Sequence, residues 1–564
     1  MSRSPQAAQG ALAPALATLL AHGLAAAVVV GAAYVTLVGP PLALNHDELN
    51  YLYESLRLPA QGRLIGYAHG PVLYELVAAS HLGVFAVLRA VGLVASSPDY
   101  LFFVVSHEHA YLTTGRLFSA AMAGALVLAV FRLGRELFGS TAGLLAAVLC
   151  ACNVTVFTFA CLLKEDTLYW LLTVIAMEQA LRISLPARGR EVAAAVAIAA
   201  AAATKYLGVF GFLLVLLPLT DKGMQAGERR RVVLRMLGVS CATLLVLFPM
   251  ALTDNASVRA SILHMHRATA EVSGGLALKA YLFEHLPNLV GIPVALLGCV
   301  GLMTAGIERH REVLLLALSP LCQLAFLGLR PGQAGSWYIA PLGLLLIISC
   351  CGLLLRVARF LGAPLAALLT VSAVSYAAIS SPYLASCLKQ AIILSSPDTR
   401  QLAYGTLVNV IGSDERVVIA NGIRGMNFWG PSLAVVAGRP VNALSAAQQK
   451  VAERRRLPRF NVRVVDGDEA PRVSADETWL LWPTVPRVSH EIASLRREPV
   501  PTNCALFTEF QARPEAHSYW WPYPTTADYE ELRAHRLREL AETAVRGLTI
   551  RAYRCVRDRK TESQ

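Results

Sequence analysis

Residues 44–51 read Leu-Asn-His-Asp-Glu-Leu-Asn-Tyr and follow closely on a long apolar run, residues 12–38. A run of that length is sufficient for a helix that crosses a bilayer. Asp47 and Glu48 are therefore expected at a membrane edge, where charged side chains are costly and are candidates for function. A carboxylate pair in a loop is usually only solvated, so this interpretation depends on the rest of the chain.

The composition is that of a polytopic membrane protein. The chain has 564 residues, of which 55% are hydrophobic and 16% are charged, and its mean hydropathy is +0.50. Soluble domains carry roughly 25% charged residues, so a large soluble enzyme is excluded. A disordered chain is excluded as well, because so much apolar surface would not stay in water. The net charge of +12 is explained by the Lys and Arg expected in cytoplasmic loops, and no nucleic-acid binding is predicted.

Hydropathy divides the chain near Ser381. We expect a membrane domain over residues 10–381 and a soluble α/β or α+β domain over residues 395–557. Short β-rich runs bounded by Pro, Gly, Asn and Asp support the second domain. These runs are residues 416–420, 479–482 and 548–553. Cys504 and Cys555 lie on predicted strands of this domain, and an exported location favours a disulfide between them.

Basic clusters orient the membrane helices, since cytoplasmic loops are enriched in Lys and Arg. They predict about 11 transmembrane helices, a cytoplasmic N-terminus and an exported C-terminal domain. The first apolar run is interpreted as an uncleaved span. Residues 192–219 are basic at both ends, so we expect two short helices that meet near Thr204-Lys205-Tyr206 and line a cavity. Residues 71–105 are expected to form interfacial helices, with a transmembrane hairpin as the alternative.

Six short segments stand in an order and spacing that are fairly specific together. They are Asp47-Glu48-x-x-Tyr51, Tyr67-Ala-His-Gly-Pro-Val-Leu-Tyr74, Gly115-Arg116-Leu117 with Arg132-Leu-Gly-Arg-Glu-Leu-Phe-Gly139, Lys164-Glu165-Asp166, Ala203-Thr204-Lys205, and Arg330 through Trp337-Tyr338-Ile-Ala-Pro341. This pattern resembles the GT-C superfamily, in particular the bacterial protein O-mannosyltransferase-like and lipid A aminoarabinose transferase-like enzymes. The resemblance covers about residues 10–380. Gly70, Glu165 and Tyr206 depart from the residues usual in that family.

The resemblance implies a GT-C-like fold and an inverting glycosyltransferase. Such an enzyme moves a sugar from a polyprenyl-phosphate donor to a hydroxyl of a lipid, glycan or protein at the outer face of the bacterial cytoplasmic membrane. An alcohol needs a base during its attack, and the resemblance assigns that role to Asp47, with Glu48 and Asp166 as further catalytic carboxylates. The leaving phosphate needs cations in a water-poor site. The expected substrate-binding residues are Lys164, Lys205, Arg330, Arg57, Tyr51 and His69, with Arg63 as a further alternative in the first loop.

A divalent cation near the Asp-Glu motif is also implied by the resemblance, because it would neutralise the phosphate. Its candidate ligands are Glu48, His69, His264 and His266. The spacing of His264-Met265-His266 suits metal ligands on an extended segment, although a four-coordinate site needs further partners. No nucleotide cofactor is expected.

Two other classes of protein are compatible with a polytopic chain. A transporter or flippase for lipid-linked glycans would carry charged residues along its spans in both halves of the membrane. A non-catalytic factor for cell-envelope glycan assembly would use the exported domain to bind glycan or peptide. The predicted membrane-edge charges crowd the outer face, which favours the enzyme. The expected partners are a lipid-linked sugar, its acceptor and membrane lipid.

Overall fold

The computed structural model describes most of the membrane part of the chain and five strands of a C-terminal sheet. The described residues are 5–40, 46–61, 70–183, 189–221, 223–256, 258–260, 277–309, 312–329, 335–361, 363–380, 382–407, 409–412, 415–421, 461–466, 478–484, 503–511, 513, 536–545 and 549–556. Several of the predicted site residues lie outside these ranges and are named below.

Helices within the described ranges are numbered here in chain order. They are α1 Pro5–Val38, α2 His46–Gln61, α3 Pro71–Ala90, α4 Ser97–Ser106, α5 Glu108–Phe138, α6 Ser140–Ala151, α7 Val154–Ala160, α8 Glu165–Leu181, α9 Arg190–Thr204, α10 Ala226–Leu247, α11 Met250–Thr253, α12 Leu278–Val290, α13 Ile292–Arg309, α14 Glu312–Gly328, α15 Ala340–Leu361, α16 Ala363–Ile379, α17 Leu384–Ser395, α18 Thr399–Leu407 and α19 Leu537–Thr543. Two 3₁₀ helices add Tyr206–Thr220 and Ser336–Ile339.

Four helices of the described chain are long and apolar enough to cross a membrane, judged by length and composition. They are Pro14–Val38 within α1, Pro71–Ala90, Glu108–Phe138 and Ser336–Phe360. Two bent pairs, α6 with α7 and α12 with α13, bring the number to six if each pair counts as one span. The molecule is therefore a membrane protein, and the total of about 11 crossings stays a prediction. Since α3 is one of the four, the interfacial placement of residues 71–105 also stays a prediction.

Two apolar helix pairs are sharply bent. Helices α6 and α7 meet at 62°, because the Asn153 side chain accepts from the amides of Thr155 and Val156 and caps a new helix. Helices α12 and α13 meet at 102°, and Gly291 between them has a φ of 78°, which glycine adopts readily.

The predicted break near Lys205 is confirmed. Helix α9 ends at Thr204, and Lys205 has the extended angles φ −146° and ψ 129°. The chain then continues as the 3₁₀ helix Tyr206–Thr220. An extended residue inside an apolar segment is tolerated where it is surrounded by protein, and Lys205 is only 7% exposed.

Small residues allow α1 and α5 to pack closely. A Cβ atom on Gly124 of α5 would lie 2.6 Å from Cγ2 of Val29 and 3.1 Å from the carbonyl oxygen of Ala25, so only glycine permits this approach. Small residues at such contacts are typical of helices that pack within membranes. This packing holds α5 beside α1, and α8 lies against the other helices of the same buried core.

A polar cluster joins α5 and α8 at the ends that we predicted to be cytoplasmic. Nη1 of Arg182 lies 3.0 Å from Glu178, and its Nε lies 3.6 Å from Glu136, which is also 3.5 Å from Arg135. The candidate site is at the opposite ends of these two helices. Their N-terminal portions therefore meet at one side of the molecule and their basic ends at the other.

The C-terminal sheet has five strands in the order β2-β1-β3-β5-β4. The strands are β1 Arg416–Asn421, β2 Asn461–Asp466, β3 Trp479–Thr484, β4 Cys504–Phe510 and β5 Thr549–Cys555. β1 is parallel to β2 and β3, whereas β5 is antiparallel to β3 and β4. Cys504 and Cys555 are paired across β4 and β5 and form the predicted disulfide.

Candidate functional site

Helix α2 carries two buried carboxylates. Asp47 and Glu48 lie in its first turn, where negative charge complements the positive end of the helix dipole. Tyr51 and Leu52, further along the helix, pack with Leu73 of α3 in a separate hydrophobic cluster. As a result Asp47 is only 5% exposed and Glu48 is fully buried.

Glu48 is held by a guanidinium group. Nε and Nη2 of Arg116 on α5 each donate to one carboxylate oxygen of Glu48 at 2.8 Å. The backbone N–H of Leu163 donates to Oε1 of Glu48 at 2.9 Å. Bidentate arginine–carboxylate pairs fix geometry as well as charge. Glu48 therefore joins α2, α5 and the residue before Lys164 into one rigid unit.

Lys164 lies between the two acidic motifs. Its Nζ is 3.0 Å from Oδ2 of Asp47 and 3.6 Å from Oδ2 of Asp166. All three side chains are at least nine-tenths buried. Asp47 and Asp166 are thus brought to the same ammonium group although 119 positions separate them in the sequence (166 − 47).

Lys205 supplies the second ammonium group. Its Nζ contacts Oδ1 of Asp166 and lies 3.3 Å from Oε1 of Glu165. The extended conformation at Lys205 places it at the break in the helix pair, facing the first turn of α8. The cluster formed by Asp47, Lys164, Glu165, Asp166 and Lys205 is called here the carboxylate–lysine cluster.

Tyr51 connects α2 to this cluster, because its hydroxyl donates to Oε2 of Glu165. Burial, followed by the charge of Glu165, raises the pKa of Tyr51 well above its ordinary value. The phenol therefore stays protonated and keeps donating over the physiological pH range. Its ring also lies 4.7 Å from that of Tyr74, centroid to centroid.

Aromatic rings bound the two lysines. Lys205 Nζ lies 4.8 Å from the centroid of Tyr338, and Lys164 Nζ lies 5.8 Å from that of Phe159. Cations are attracted by the faces of such rings. Tyr338 belongs to the motif Trp337-Tyr338-Ile-Ala-Pro341, so this motif contributes a side chain to the site.

The carboxylate–lysine cluster can perform acid–base chemistry next to an anion. It holds three carboxylates and two ammonium groups in a region sheltered from water. A carboxylate whose counter-ion moves away becomes a better proton acceptor, because an opposite charge favours the ionised form. For Asp47 that counter-ion is Lys164.

A largely apolar cavity of about 510 Å³ adjoins the cluster. Leu52 and Leu163 form part of its wall, and these residues are sequence neighbours of Tyr51 and Lys164. The rest of the lining comes mainly from α3, α4 and α5, including His81, Phe103 and Phe118. Its size and lining suit an apolar chain more than a free sugar.

In the structure Asp47, Glu48, Tyr51, Lys164, Asp166 and Lys205 lie close together. Arg57 belongs to α2, but its side chain lies outside the described residues. Arg63, His69, His264, His266 and Arg330 also lie outside the described residues. Asp166 lies in the first turn of α8, which begins at Glu165 with Lys164 as its N-cap.

The described residues do not fit a divalent metal ion. In this part of the chain, no group of three His, Cys, Asp or Glu side chains comes together in a way that could hold one. Both oxygens of Glu48 accept from Arg116, and Nδ1 of His107 donates to the carbonyl of Phe103. The predicted ligand role of Glu48 therefore competes with a buried ion pair, and we derive no step through a metal.

Several members of the network were not predicted as site residues. Arg116 is the partner of Glu48, and Glu165 accepts from Tyr51 and pairs with Lys205. An arginine inside an otherwise apolar helix was the signal for Arg116. Glu108, in the first turn of α5, is also buried and accepts a hydrogen bond from the hydroxyl of Tyr53 on α2.

Comparisons with known proteins find several similar solved structures. One is ArnT from Cupriavidus metallidurans bound to undecaprenyl phosphate, at 15% identity and a TM-score of 0.45, and the match covers 78% of this chain and 90% of that one. Another is the oligosaccharyltransferase of Archaeoglobus fulgidus in the apo form, at 12% identity and a TM-score of 0.40. That match covers 81% of this chain and 69% of the other.

A third similar structure is the protein O-mannosyltransferase complex Pmt1-Pmt2 of S. cerevisiae bound to its sugar donor. The match covers 42% of this chain and 34% of that one, at 17% identity and a TM-score of 0.29. No protein-family model and no curated protein matches the chain. The residue assignments below rest on the site geometry and the motifs alone.

Proposed function

We propose that this protein is a membrane glycosyltransferase that moves a sugar from a polyprenyl-phosphate donor to a hydroxyl acceptor. The observation that carries the proposal is the contact of Lys164 with both Asp47 and Asp166 in a buried cluster. A base and a phosphate-binding cation are the two groups that this reaction needs side by side.

The reaction follows from the charges of the cluster. Asp47 accepts the proton of the acceptor hydroxyl as its oxygen forms a bond to the anomeric carbon. The bond between that carbon and the phosphate oxygen breaks, and the polyprenyl phosphate leaves with the electron pair. Lys164 moves its charge from Asp47 toward the phosphate, which also strengthens Asp47 as a base. One displacement from the face opposite the phosphate inverts the anomeric configuration.

The remaining residues hold these groups in place. Asp166, which also pairs with Lys205, orients Lys164. Tyr51 fixes Glu165. Arg116 keeps Glu48, and with it the first turn of α2, in register with Leu163. The apolar cavity beside Leu52 and Leu163 supports a substrate with a lipid chain. Arg57 and Arg330 remain our candidates for further phosphate contacts.

A transfer assay with purified protein tests the proposal. The protein in detergent micelles is mixed with radiolabelled polyprenyl-phosphate sugars and a panel of lipid, glycan and peptide acceptors. Label should move to an acceptor, and the product should show the inverted anomer. A flippase would instead need sealed vesicles and would leave the sugar–phosphate bond intact, so absence of transfer with any donor rejects the enzyme.

The site should face the outside of the bacterial cytoplasmic membrane. The basic ends of α5 and α8, around Arg135 and Arg182, lie opposite the cluster and support this orientation under the positive-inside rule. A C-terminal alkaline phosphatase fusion should be active, whereas a C-terminal green fluorescent protein fusion should be dark. The reverse pattern would reject the orientation.

A further inference from the structure

Helix α14 buries one amide side chain in apolar surroundings. Gln323 is 3% exposed, and its sequence neighbours over residues 321–327 are Leu, Cys, Ala and Phe. Burial of an amide is unfavourable unless its oxygen and its nitrogen both find partners. The reaction described above does not use this side chain, so its role has to come from the groups that it contacts.

Both ends of the Gln323 amide are paired. Its oxygen accepts from the hydroxyl of Tyr169 on α8 at 2.8 Å, and its nitrogen donates to the backbone carbonyl of Tyr338. The reversed amide would turn its oxygen toward that carbonyl, which has no proton to donate, so only one orientation satisfies both partners. Gln323 therefore joins α8 to the 3₁₀ helix Ser336–Ile339 through two hydrogen bonds.

The two partners of Gln323 each lead to Lys205. Tyr169 lies three residues after Asp166 on α8, and Asp166 contacts the Nζ atom of Lys205. The centroid of the Tyr338 ring lies 4.8 Å from the same Nζ atom. The carboxylate and the aromatic ring that attract Lys205 thus come from two elements that one side chain connects.

The 3₁₀ helix Ser336–Ile339 needs contacts of this kind to hold its position. It is about one turn long, and 3₁₀ helices have poor hydrogen-bond geometry of their own. Its Trp337 ring lies 6.3 Å from that of Phe159, and Phe159 lies beside the ammonium group of Lys164. A shift of this 3₁₀ helix would therefore change the aromatic surroundings of both lysines.

We propose that Gln323 is a positioning residue that holds the ring of Tyr338 over Lys205. This contact keeps Lys205 on Asp166, so that Asp166 does not draw Lys164 away from the donor phosphate. The catalytic consequence rests on the proposed function, whereas the placement of Tyr338 can be measured without any transfer activity. Displacement of a catalytic group by about 1 Å can cost about a hundredfold in rate, so a residue that acts through another one can affect turnover.

Hydrogen–deuterium exchange of the full-length protein tests the placement. Gln323→Met keeps an unbranched side chain of similar size and removes both hydrogen bonds. It should speed amide exchange in residues 336–340 by about tenfold or more, because the 3₁₀ helix loses its connection to α8. The matched control is Thr173→Val, since the Thr173 hydroxyl donates at 2.8 Å to the backbone carbonyl of Tyr169 on the same helix. That variant should leave residues 336–340 unchanged.

Tyr169→Phe is a milder variant for use if Gln323→Met folds poorly. It removes one of the two hydrogen bonds of Gln323 and keeps the aromatic ring on α8. Exchange in residues 336–340 should then rise by a smaller factor, about threefold. The proposal is overturned if these two variants change exchange only within their own helices, or if Thr173→Val speeds exchange in residues 336–340 equally.

Transfer kinetics test the effect on the lysines. Gln323→Met should lower kcat and raise donor KM by about tenfold each, because Lys164 becomes less available to the phosphate. In a Tyr338→Leu background, which already lacks the ring, Gln323→Met should change neither quantity further. Effects that multiply instead would overturn the route through Tyr338. Absence of transfer by the wild-type protein would reject the proposed function and leave the exchange result to decide whether Gln323 places Tyr338.

Discussion

Lys164 and Asp47 form a buried ion pair in which Nζ lies 3.0 Å from Oδ2. Each residue comes from a different acidic motif, and the contact joins the start of α2 to the N-cap of α8. Because of this contact, the proposed base Asp47 and the proposed phosphate-binding cation Lys164 influence each other's charge state. Any change at one of them also alters the charge that the other experiences before substrate binds.

Replacement of Asp47 by Asn should stop turnover without weakening the donor complex. The amide keeps the shape but accepts no proton, so kcat should fall by about 10²–10⁴-fold. Lys164 loses one of its ionic partners and becomes more available to the phosphate, so donor KM should fall or stay unchanged. Single-turnover transfer and equilibrium donor binding measure the two effects separately.

Wild-type turnover by a folded Asp47→Asn protein would reject Asp47 as the base. Folding is checked by size-exclusion chromatography and by the thermal unfolding midpoint in detergent. A matched control is Asp99→Asn, because the Asp99 carboxylate completes the capping box of α4 by accepting from the backbone N–H and the hydroxyl of the exposed N-cap residue Ser96. It should cost stability of about 1 kcal/mol, typical of a lost cap, and leave kcat unchanged.

Replacement of Lys164 should affect donor binding and turnover, whereas replacement of Lys205 should affect the stability of the protein. Lys164→Ala removes the cation that we assign to the phosphate, so it should raise donor KM and lower kcat. Lys205→Met leaves Glu165 and Asp166, both fully buried, with less positive charge. It should therefore destabilise the protein by about 3–5 kcal/mol, the usual range for breaking a buried pair.

Thermal unfolding and donor titration on both variants check this difference. A Lys164→Ala protein with unchanged donor KM would remove the phosphate assignment. A Lys205→Met protein as stable as the wild type would show that the two acidic residues do not depend on its charge.

Much of the site was predictable because charged residues are rare in apolar sequence. The break at Lys205 followed from basic residues at both ends of one apolar stretch, and the meeting of Asp47 with Lys164 followed from their places on one membrane face. The first inference used the enrichment of Lys and Arg in cytoplasmic loops, and the second also used the high cost of charge at a membrane edge. The disulfide between Cys504 and Cys555 followed from the expected compartment.

Pairings within the network were not predictable from the same argument. Hydropathy marks Glu48 as unusual but does not tell whether its partner is a metal ion or Arg116. The hydrogen bond from Tyr53 to Glu108 joins residues 55 positions apart, and the sequence does not indicate that they are partners. The bends at Asn153 and Gly291 depend on a side-chain cap and a positive φ, which apolar periodicity does not reveal.

Replacement of Glu48 by Gln distinguishes a metal ligand from a partner of Arg116. The amide cannot provide the charge that Arg116 meets through two hydrogen bonds. We expect a loss of about 3 kcal/mol in stability and a lower kcat. Excess Mg²⁺, Mn²⁺ or Zn²⁺ should not restore activity, and a chelator should not inhibit the wild type. Rescue of the variant by any of these cations would contradict the arginine role and restore the metal-ligand prediction.

Gly70 should tolerate no side chain, although its backbone angles are ordinary for any residue. It precedes α3 with φ −63° and ψ 151°, so conformational freedom is not the reason. A Cβ atom there would overlap the carbonyl oxygen of Ala203 and would lie 2.6 Å from that of Thr204. Those two carbonyls belong to the end of α9, directly before Lys205, and backbone cannot move aside as a flexible side chain can.

Gly70→Ala should therefore displace Lys205 from Asp166 and not merely loosen α3. We expect destabilisation by about 1–3 kcal/mol, typical of overpacking, together with a fall in kcat of about tenfold or more. Gly83→Ala is the matched control, since a Cβ there meets nothing within 4 Å and the residue lies on the same helix. It should leave both quantities unchanged. An active and stable Gly70→Ala protein would contradict the close contact between the start of α3 and the Lys205 break.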